Sequence, residues 1–261
     1  MSTTDLSSLL DDAGLDASAT AAMQLTADTL GPAIAEGLGD IDLDDITTAE
    51  VVLVTLLVDD SSSIRFVDGN AQAVRDGHNL VLDALRGSKQ SASVLVNCRY
   101  LNGTVLYPYV SLENAPRMDD GNYQPYGMTP LYDQMAVTLT GVAAKMAEFE
   151  QGGVAARAVT IVVTDGADAG SHQQTASTIK RIVGGLLTTE QHIVAGVGIA
   201  DGYTDFREVF GDMGLLSEWI LTPSNSPSDI RRAFQTVSQS AVRASQTAGS
   251  FSQVAMGGFG A

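Results

Sequence analysis

The chain has 261 residues, of which 44% are hydrophobic and 17% are charged, as is typical of a globular protein. Its 31 Asp and Glu residues outnumber its 14 Lys and Arg residues, and the net charge of −17 disfavours binding to nucleic acid or to an anionic membrane surface. The longest apolar runs, at 51–58 and 193–200, are far too short to cross a bilayer. We therefore expect no nucleic-acid partner and no membrane span.

The acidic charge is concentrated at the start of the chain. Residues 1–60 contain thirteen Asp and Glu residues and no Lys or Arg, whereas the other 201 residues carry a net charge of only −4. Stretches rich in Leu, Ala and Met at 5–15 and 17–35, the second interrupted by Pro32, predict short helices. The pattern indicates an acidic helical N-terminal extension over 1–48, which is either a cap on the main domain or a separate docking element.

From residue 51, apolar runs of strand length alternate with amphipathic helical segments. Asn102-Gly103 predicts a hairpin between the second and third strands. We expect a doubly wound α/β domain over 49–245, in which a mostly parallel sheet with one antiparallel edge strand has helices on both faces. The predicted strands are 51–58, 91–101, 104–112, 158–164, 192–199 and 218–221, and the predicted helices are 64–85, 130–149, 175–187, 205–212 and 226–244.

The end of the chain, residues 246–261, is uncharged and shows little periodicity. This composition predicts a flexible C-terminal tail. Its apolar side chains, Phe251 and Phe259 among them, could instead form a docking peptide.

Two features bear on the compartment. The first residues lack the basic and apolar regions of a signal peptide, and the lone Cys98 excludes an internal disulfide. Because Cys98 falls in a strand-like run, we expect it to be a small buried hydrophobic residue. Together these features favour a cytoplasmic protein of bacterial type.

Three polar segments stand where the strands end or a helix begins. Asp59 to Ser63 follow the first strand with the pattern Asp-x-Ser-x-Ser, Thr129 opens a helix in GMTPLYD, and Asp165 ends a later strand in VVTDG. Ligands of an open α/β sheet bind at the carboxyl ends of its strands. We therefore expect the three segments to meet at one edge of the sheet.

In their order, strand contexts and spacing, these segments resemble the von Willebrand A and integrin I-domain family, over residues 50–245. The resemblance implies a Rossmann-like fold with a metal-ion-dependent adhesion site. It makes Ser61, Ser63 and Thr129 hydroxyl ligands, and Asp59 and Asp165 carboxylates that act directly or through water. Mg²⁺ is the expected cation, with Mn²⁺ or Ca²⁺ as alternatives.

The chemistry of such a site follows from its donors. Mg²⁺ takes six oxygen ligands, and neutral hydroxyls leave its charge largely unquenched, so that a partner's Asp or Glu can occupy an open position. No His or Cys stands near these positions, which disfavours Zn²⁺. A simpler alternative is that the Asp-Ser-Ser run and Thr129 only cap the helices that follow them.

Several neighbouring residues allow two interpretations. Asp60, at the second position of the motif, is expected to face solvent. Asp168 is expected to be a loop charge, with assistance to the site as the alternative. Tyr123, Tyr126 and Met128 could all flank a bound partner or could all pack beneath the loop.

The leading functional hypothesis is a metal-dependent protein-binding module, an adaptor or scaffold and not an enzyme. The family resemblance implies a protein partner that offers a carboxylate, such as a MoxR-type AAA+ ATPase or another component of a multiprotein system. The alternative is a structural or assembly component whose metal site is stabilising or vestigial. A phosphotransferase of the haloacid-dehalogenase type is disfavoured, because Ser61 stands where its Asp-x-Asp motif needs an acid.

Overall fold

A six-stranded sheet forms the centre of the fold. The computed structural model describes residues 3–41, 43, 46–246 and 257–260. The strands are β1 (Glu50–Val58), β2 (Val94–Tyr100), β3 (Val105–Ser111), β4 (Ala155–Thr164), β5 (His192–Gly198) and β6 (Ile220–Leu221). They lie in the order β3-β2-β1-β4-β5-β6, and only the pairing of β2 with the edge strand β3 is antiparallel. The predicted doubly wound α/β sheet is confirmed.

Seven α-helices lie within the described residues, and two of them differ from the sequence prediction. The segment predicted as one helix from residue 64 is a short 3₁₀ helix, Ser62–Phe66, followed by a separate helix, because Gly69 adopts a φ of 85° between them. Pro32 does not end the second helix, which kinks at Leu30 and continues. The helices are α1 (Thr3–Asp11), α2 (Ala17–Leu38), α3 (Asn70–Arg86), α4 (Leu131–Gln151), α5 (Ala176–Thr188), α6 (Phe206–Asp212) and α7 (Pro227–Gln246).

The two faces of the sheet carry separate cores. Val54 and Leu56 of β1 point to the face that α3 and α7 cover, where they share a cluster with Phe234. Leu57, one residue on, belongs to the opposite cluster with side chains of α4 and α5. Because β1 is buried on both sides, its sequence is a continuous apolar run and shows no alternation.

The N-terminal helices pack on the α4 and α5 face of the domain. Leu6, Leu10 and Met23 are buried in the same cluster as the inward side chains of α4 and α5. Helices α2 and α5 approach so closely that a methyl group on Gly185 would lie 2.2 Å from Ala19 Cβ. Residues 3–38 therefore form part of the hydrophobic core on this face.

Two polar side chains of β2 hold the end of α2. The last carbonyls of a helix have no partner within it. Asn97 donates to the Gly37 carbonyl at 2.9 Å, and the buried guanidinium of Arg99 donates to the carbonyls of Ala33 and Gly103. Asn97 thus supplies a partner for one of the last carbonyls of α2, that of the buried Gly37, and Arg99 joins α2 to the β2–β3 turn.

A short turn at the end of the chain packs near the start of β6. Phe259 is buried against Trp219, with 5.4 Å between the ring centroids, and Arg243 donates to the Gly258 carbonyl. Most of the predicted flexible tail, including Phe251, lies outside the described residues. Among the described helices, none combines the length and the apolar character that crossing a membrane requires.

A buried histidine on α3 should make the stability of the protein depend on pH. His78 is fully buried, its Nε2 lies 2.8 Å from the hydroxyl of Tyr107, and burial lowers its pKa from 6.5 to about 4. The unfolded chain therefore binds a proton more readily than the folded chain, so the folded state loses stability as the pH falls from about 6.5 towards 4.

We expect this effect to separate the native protein from the variant His78→Phe. Between pH 7.5 and pH 5 the free energy of unfolding of the native protein should fall by about 2 kcal/mol relative to the variant. Urea unfolding of both proteins at each pH measures the difference, and all other titrating groups are common to both. A difference that does not change with pH would show that His78 titrates alike in the two states.

Candidate metal centre

Three of the predicted site residues come together at one edge of the sheet. Ser61 and Ser63 lie in the loop after β1, and Asp165 directly follows β4. Ser63 Oγ donates to Asp165 Oδ1 at 2.7 Å, and Ser61 Oγ lies 2.9 Å from Ser63 Oγ and 3.4 Å from the same carboxylate oxygen. Because β1 and β4 are adjacent parallel strands, residues 102 positions apart meet at their carboxyl ends.

Asp59 joins the first loop to the end of β4. Its Oδ1 accepts the backbone N–H of Ser61 at 2.7 Å. Its Oδ2 accepts the hydroxyl of Thr164 at 2.7 Å and the backbone N–H of Asp165 at 3.2 Å. The carboxylate of Asp59 is completely buried, and it fixes the relative positions of the two loops that carry the other oxygen donors.

Thr129 approaches from the third loop. Its backbone N–H donates to the carbonyl of Ala169 at 3.1 Å, and its carbonyl accepts the Ala169 N–H at 2.8 Å. These bonds pair the loop before α4 with the loop after β4. The hydroxyl oxygen of Thr129 lies 3.9 Å from where a methyl group on Gly166 would stand, next to Asp165 in the chain. All five predicted residues therefore lie at this edge of the sheet.

The centre holds two carboxylates with little compensation. Asp165 is buried, and desolvation together with the nearby charge of Asp59 raises its pKa from 3.8 to about 6. Within the described residues, no ion pair joins Asp59, Asp60 or Asp165 to a basic side chain. Buried charges are stable only when they are paired or bind a metal ion. The residues therefore fit a cation, which would supply the missing positive charge.

The chemistry of the donor set favours one class of cation. Every side-chain donor at the centre is an oxygen, and three of the five are hydroxyls. In the described part of the chain, no group of three or more His, Cys, Asp or Glu side chains is arranged to hold a metal, so a site here depends on hydroxyl ligands. Oxygen ligands favour hard ions such as Mg²⁺, Mn²⁺ and Ca²⁺ over Zn²⁺.

Comparisons with known proteins bear on the fold. A scan against protein-family models found no match, and a search of curated proteins found none either. Among solved structures, the pilus adhesin SpaC from Lactobacillus rhamnosus GG in its open conformation matches 80% of this chain, with a TM-score of 0.54 and 14% identity. The matched part is 31% of SpaC, so this chain corresponds to about a third of the adhesin.

Two further structures match less well. The SpRpn10 VWA domain has a TM-score of 0.49 and 12% identity, with 72% of this chain and 95% of that domain covered. The manganese-loaded TRAP protein of Plasmodium vivax has a TM-score of 0.45 and 18% identity, with 71% and 74% covered.

The sheet order, the antiparallel edge strand and the match to SpaC agree with the family resemblance seen in the sequence. The chain has a von Willebrand A fold. The comparisons establish the fold, and the candidate metal centre lies at the edge of its sheet where open α/β sheets bind ligands.

The arrangement in this von Willebrand A fold disfavours simple helix capping. Ser61 precedes the short 3₁₀ helix, but its side chain makes no capping bond to a backbone N–H of that helix; its hydroxyl lies instead 2.9 Å from Ser63 Oγ. The residue before α4 is Pro130, which cannot cap the helix with a side-chain bond. The hydroxyls of Ser61 and Ser63 face each other and Asp165, so helix capping does not account for their orientation.

The prediction that Asp60 faces solvent was wrong. Asp60 is only 3% exposed, and its Oδ1 accepts the backbone N–H of Asn102 in the β2–β3 turn at 3.0 Å. Desolvation raises the pKa of its carboxyl from 3.8 to about 6. The second position of the motif thus joins the candidate centre of the von Willebrand A fold to the neighbouring hairpin.

Two acidic residues join the start of α4 to the loop after β4. Asp133 was not singled out from the sequence, and Asp168 was assigned no contact. The carboxylate of Asp133, in the first turn of α4, accepts the backbone N–H groups of residues 172–174 at 2.7–3.1 Å. Asp168, expected as a loop charge, accepts the Tyr132 N–H and the hydroxyl of Ser171. The position of Asp133 in the first turn after Thr129 was the available signal.

Three large side chains precede Thr129, those of Tyr123, Tyr126 and Met128, and they differ in exposure. Tyr123 is completely buried and donates its hydroxyl to the Asp59 carbonyl at 2.5 Å, so it supports the first loop from beneath. Tyr126 and Met128 are 73% and 64% exposed. Of these three side chains, Tyr126 and Met128 are therefore the ones that present apolar surface to solvent beside Thr129.

Proposed function

We propose that this chain is a metal-dependent protein-binding module that binds an Asp or Glu carboxylate of a partner protein. The observation that carries the proposal is the convergence of the Ser61 and Ser63 hydroxyls on Asp165 within 2.7–3.4 Å, beside the buried Asp59, with no basic side chain paired to either acid in the described residues. The von Willebrand A fold and its SpaC match support an interaction module.

In this proposal Ser61, Ser63 and Thr129 hold the cation through their hydroxyls, and Asp59 and Asp165 balance its charge. Mg²⁺ is the proposed ion, with Mn²⁺ or Ca²⁺ as alternatives. The bound ion supplies a positive charge that neutral hydroxyls leave largely unquenched, and this charge attracts the partner's carboxylate. The chain's own residues orient the ion and hold the three loops in place.

The proposal assigns no catalytic residue to the chain and treats it as an adaptor or scaffold. MoxR-type ATPases remain candidate partners on the sequence resemblance alone. A cytoplasmic location also stays a prediction, to which the buried free thiol of Cys98 adds modest support.

A peptide-display selection tests the proposed function. The full chain is immobilised and a random peptide library is selected once in Mg²⁺ and once in EDTA. We expect the peptides that depend on Mg²⁺ to share an Asp or Glu, and their binding to disappear when that acid is changed to Asn or Gln. Peptides that bind equally well in EDTA would count against the proposal.

Ser63→Ala should weaken the binding of Mg²⁺, and with it the binding of such a peptide, at least about tenfold. The hydroxyl that it removes donates directly to Asp165. Ser8→Ala, the same change on an exposed part of α1, serves as the matched control and should bind like the native protein. Mg²⁺ titration followed by thermal unfolding gives the affinity for the ion. If Mg²⁺ stabilises the protein but no peptide is selected, the alternative role as an assembly component gains support.

A further inference from the structure

Several exposed apolar side chains lie in loops at the same edge of the sheet as the candidate metal centre. Six large hydrophobic residues are exposed in the described part of the chain, and only Leu25 and Leu80 lie elsewhere, on α2 and α3. The other four stand in loops at the carboxyl edge of the sheet, and we call them the apolar rim. The rim consists of Phe66 (78% exposed), Tyr126 (73%), Met128 (64%) and Tyr203 (96%).

Each member of the rim is placed by a loop that forms or borders the centre. Phe66 ends the 3₁₀ helix that begins at Ser62, between the two serine donors. Tyr126 and Met128 precede the third hydroxyl donor in the loop before α4. Tyr203 follows β5, the strand next to β4, and its backbone N–H donates to the carboxylate of Asp201 at 2.9 Å.

Two members of the rim, Tyr126 and Met128, are held in place although their side chains are exposed. The Arg65 guanidinium lies 5.7 Å from the centroid of the Tyr126 ring, and the Tyr126 N–H donates to the Asp60 carbonyl at 2.5 Å. Met128 lies over Gly170, where a methyl group would stand 3.4 Å from its Cβ. Side chains that are already positioned lose less conformational entropy when a partner covers them.

The negative charge of the chain limits which partner segments can bind at the centre. The proposed centre binds one carboxylate, but the chain as a whole carries a charge of −17, and Asp201 follows β5, the strand next to β4. Further acids next to the bound carboxylate would be repelled. Aromatic and large apolar side chains would instead bury the rim, and residues of this type are enriched at protein interfaces.

Resting on the proposed function, we propose that the apolar rim selects a protein segment in which a single acidic residue is flanked by aromatic or large aliphatic side chains. The acid binds at the metal centre, and its apolar neighbours pack against Phe66, Tyr126, Met128 and Tyr203. The cation therefore makes a carboxylate necessary for binding, and the rim selects among the segments that carry one.

The test uses the peptides selected in Mg²⁺. We expect aromatic or aliphatic residues to be enriched within a few positions of the shared acid, and a second acid to be depleted there. The strongest peptide is labelled, and its affinity for the full chain is measured by fluorescence anisotropy. Tyr203→Ser and Tyr126→Ser should each weaken binding about tenfold, as should replacing the peptide's apolar neighbours with Ser.

Leu25→Ser is the matched control, since it removes an exposed apolar side chain far from the centre, and it should leave the affinity within about twofold. The affinity for Mg²⁺ should be unchanged in both Tyr variants, because neither side chain belongs to the donor set. Acidic peptides that depend on Mg²⁺ but lack apolar neighbours, or that bind the Tyr variants normally, would overturn this inference and leave the proposed function intact. Selected peptides that bind without Mg²⁺ would overturn both.

Discussion

Replacing Asp165 with Asn should stabilise the metal-free protein and abolish its stabilisation by Mg²⁺. Asp165 is buried beside Asp59, and its raised pKa of about 6 means that its charge at pH 7.5 opposes folding when no cation is present. The Asn side chain keeps an oxygen that can accept the Ser63 hydroxyl but carries no charge. We expect the free energy of unfolding in EDTA to rise by about 1–2 kcal/mol.

Although Asp165→Asn should stabilise the protein in EDTA, it should reduce the additional stability that Mg²⁺ provides. A ligand at a hundred times its dissociation constant stabilises a protein by about 2.7 kcal/mol, and the native protein should show a gain of this size. Asp165→Asn should gain no more than a few tenths of a kcal/mol at the same concentration, because the site has lost one of its two carboxylates. Urea unfolding with EDTA and with Mg²⁺ measures both effects.

Asp168→Asn is the control for this pair of measurements. Asp168 lies in the same loop as Asp165, but its carboxylate accepts hydrogen bonds from Tyr132 and Ser171 and not from Ser61 or Ser63. Its variant should therefore retain the response to Mg²⁺. If Asp165→Asn proves less stable than the native protein in EDTA, the two carboxylates do not repel each other as inferred. If it retains the response to Mg²⁺, Asp165 does not bind the ion.

Leu10→Ala should destabilise the protein by about 2–5 kcal/mol, the range for removing a buried leucine side chain. Leu10 belongs to the N-terminal segment that the sequence left either as a cap or as a separate docking element. It is completely buried among side chains of α2, α4 and α5. Its replacement therefore leaves a cavity in the core of the von Willebrand A fold, and urea unfolding monitors the loss.

Leu25→Ala provides the comparison within the same segment. Leu25 is 57% exposed on α2, and its replacement should change the free energy of unfolding by less than about 0.5 kcal/mol. A small effect from both variants would mean that the N-terminal helices contribute little to the stability of the domain. A large effect from Leu10→Ala alone would make residues 3–38 an integral part of it.

The sequence by itself determined the architecture of the sheet and the chemistry of the candidate centre. Continuous apolar runs marked β1, β4 and β5 as strands buried on both faces, which only a mostly parallel sheet with helices on both sides provides. Asp59 to Ser63 and Asp165 then placed oxygen donors at the ends of β1 and β4, and Thr129 placed another just before a helix. These signals are local, since each depends on residues close together in the chain.

The tertiary structure decided what depends on contacts between distant segments. Asp60 is buried because a hairpin turn about forty residues later donates to it, and Asp133 acts through the loop that begins α5. Helix α2 packs closely against α5 because Gly185 has no side chain there, and Arg99 of β2 donates to the Ala33 carbonyl of α2. Composition and periodicity report the exposure and shape of single elements, but which elements meet depends on how they pack, and that packing also brings four separate apolar side chains into one rim.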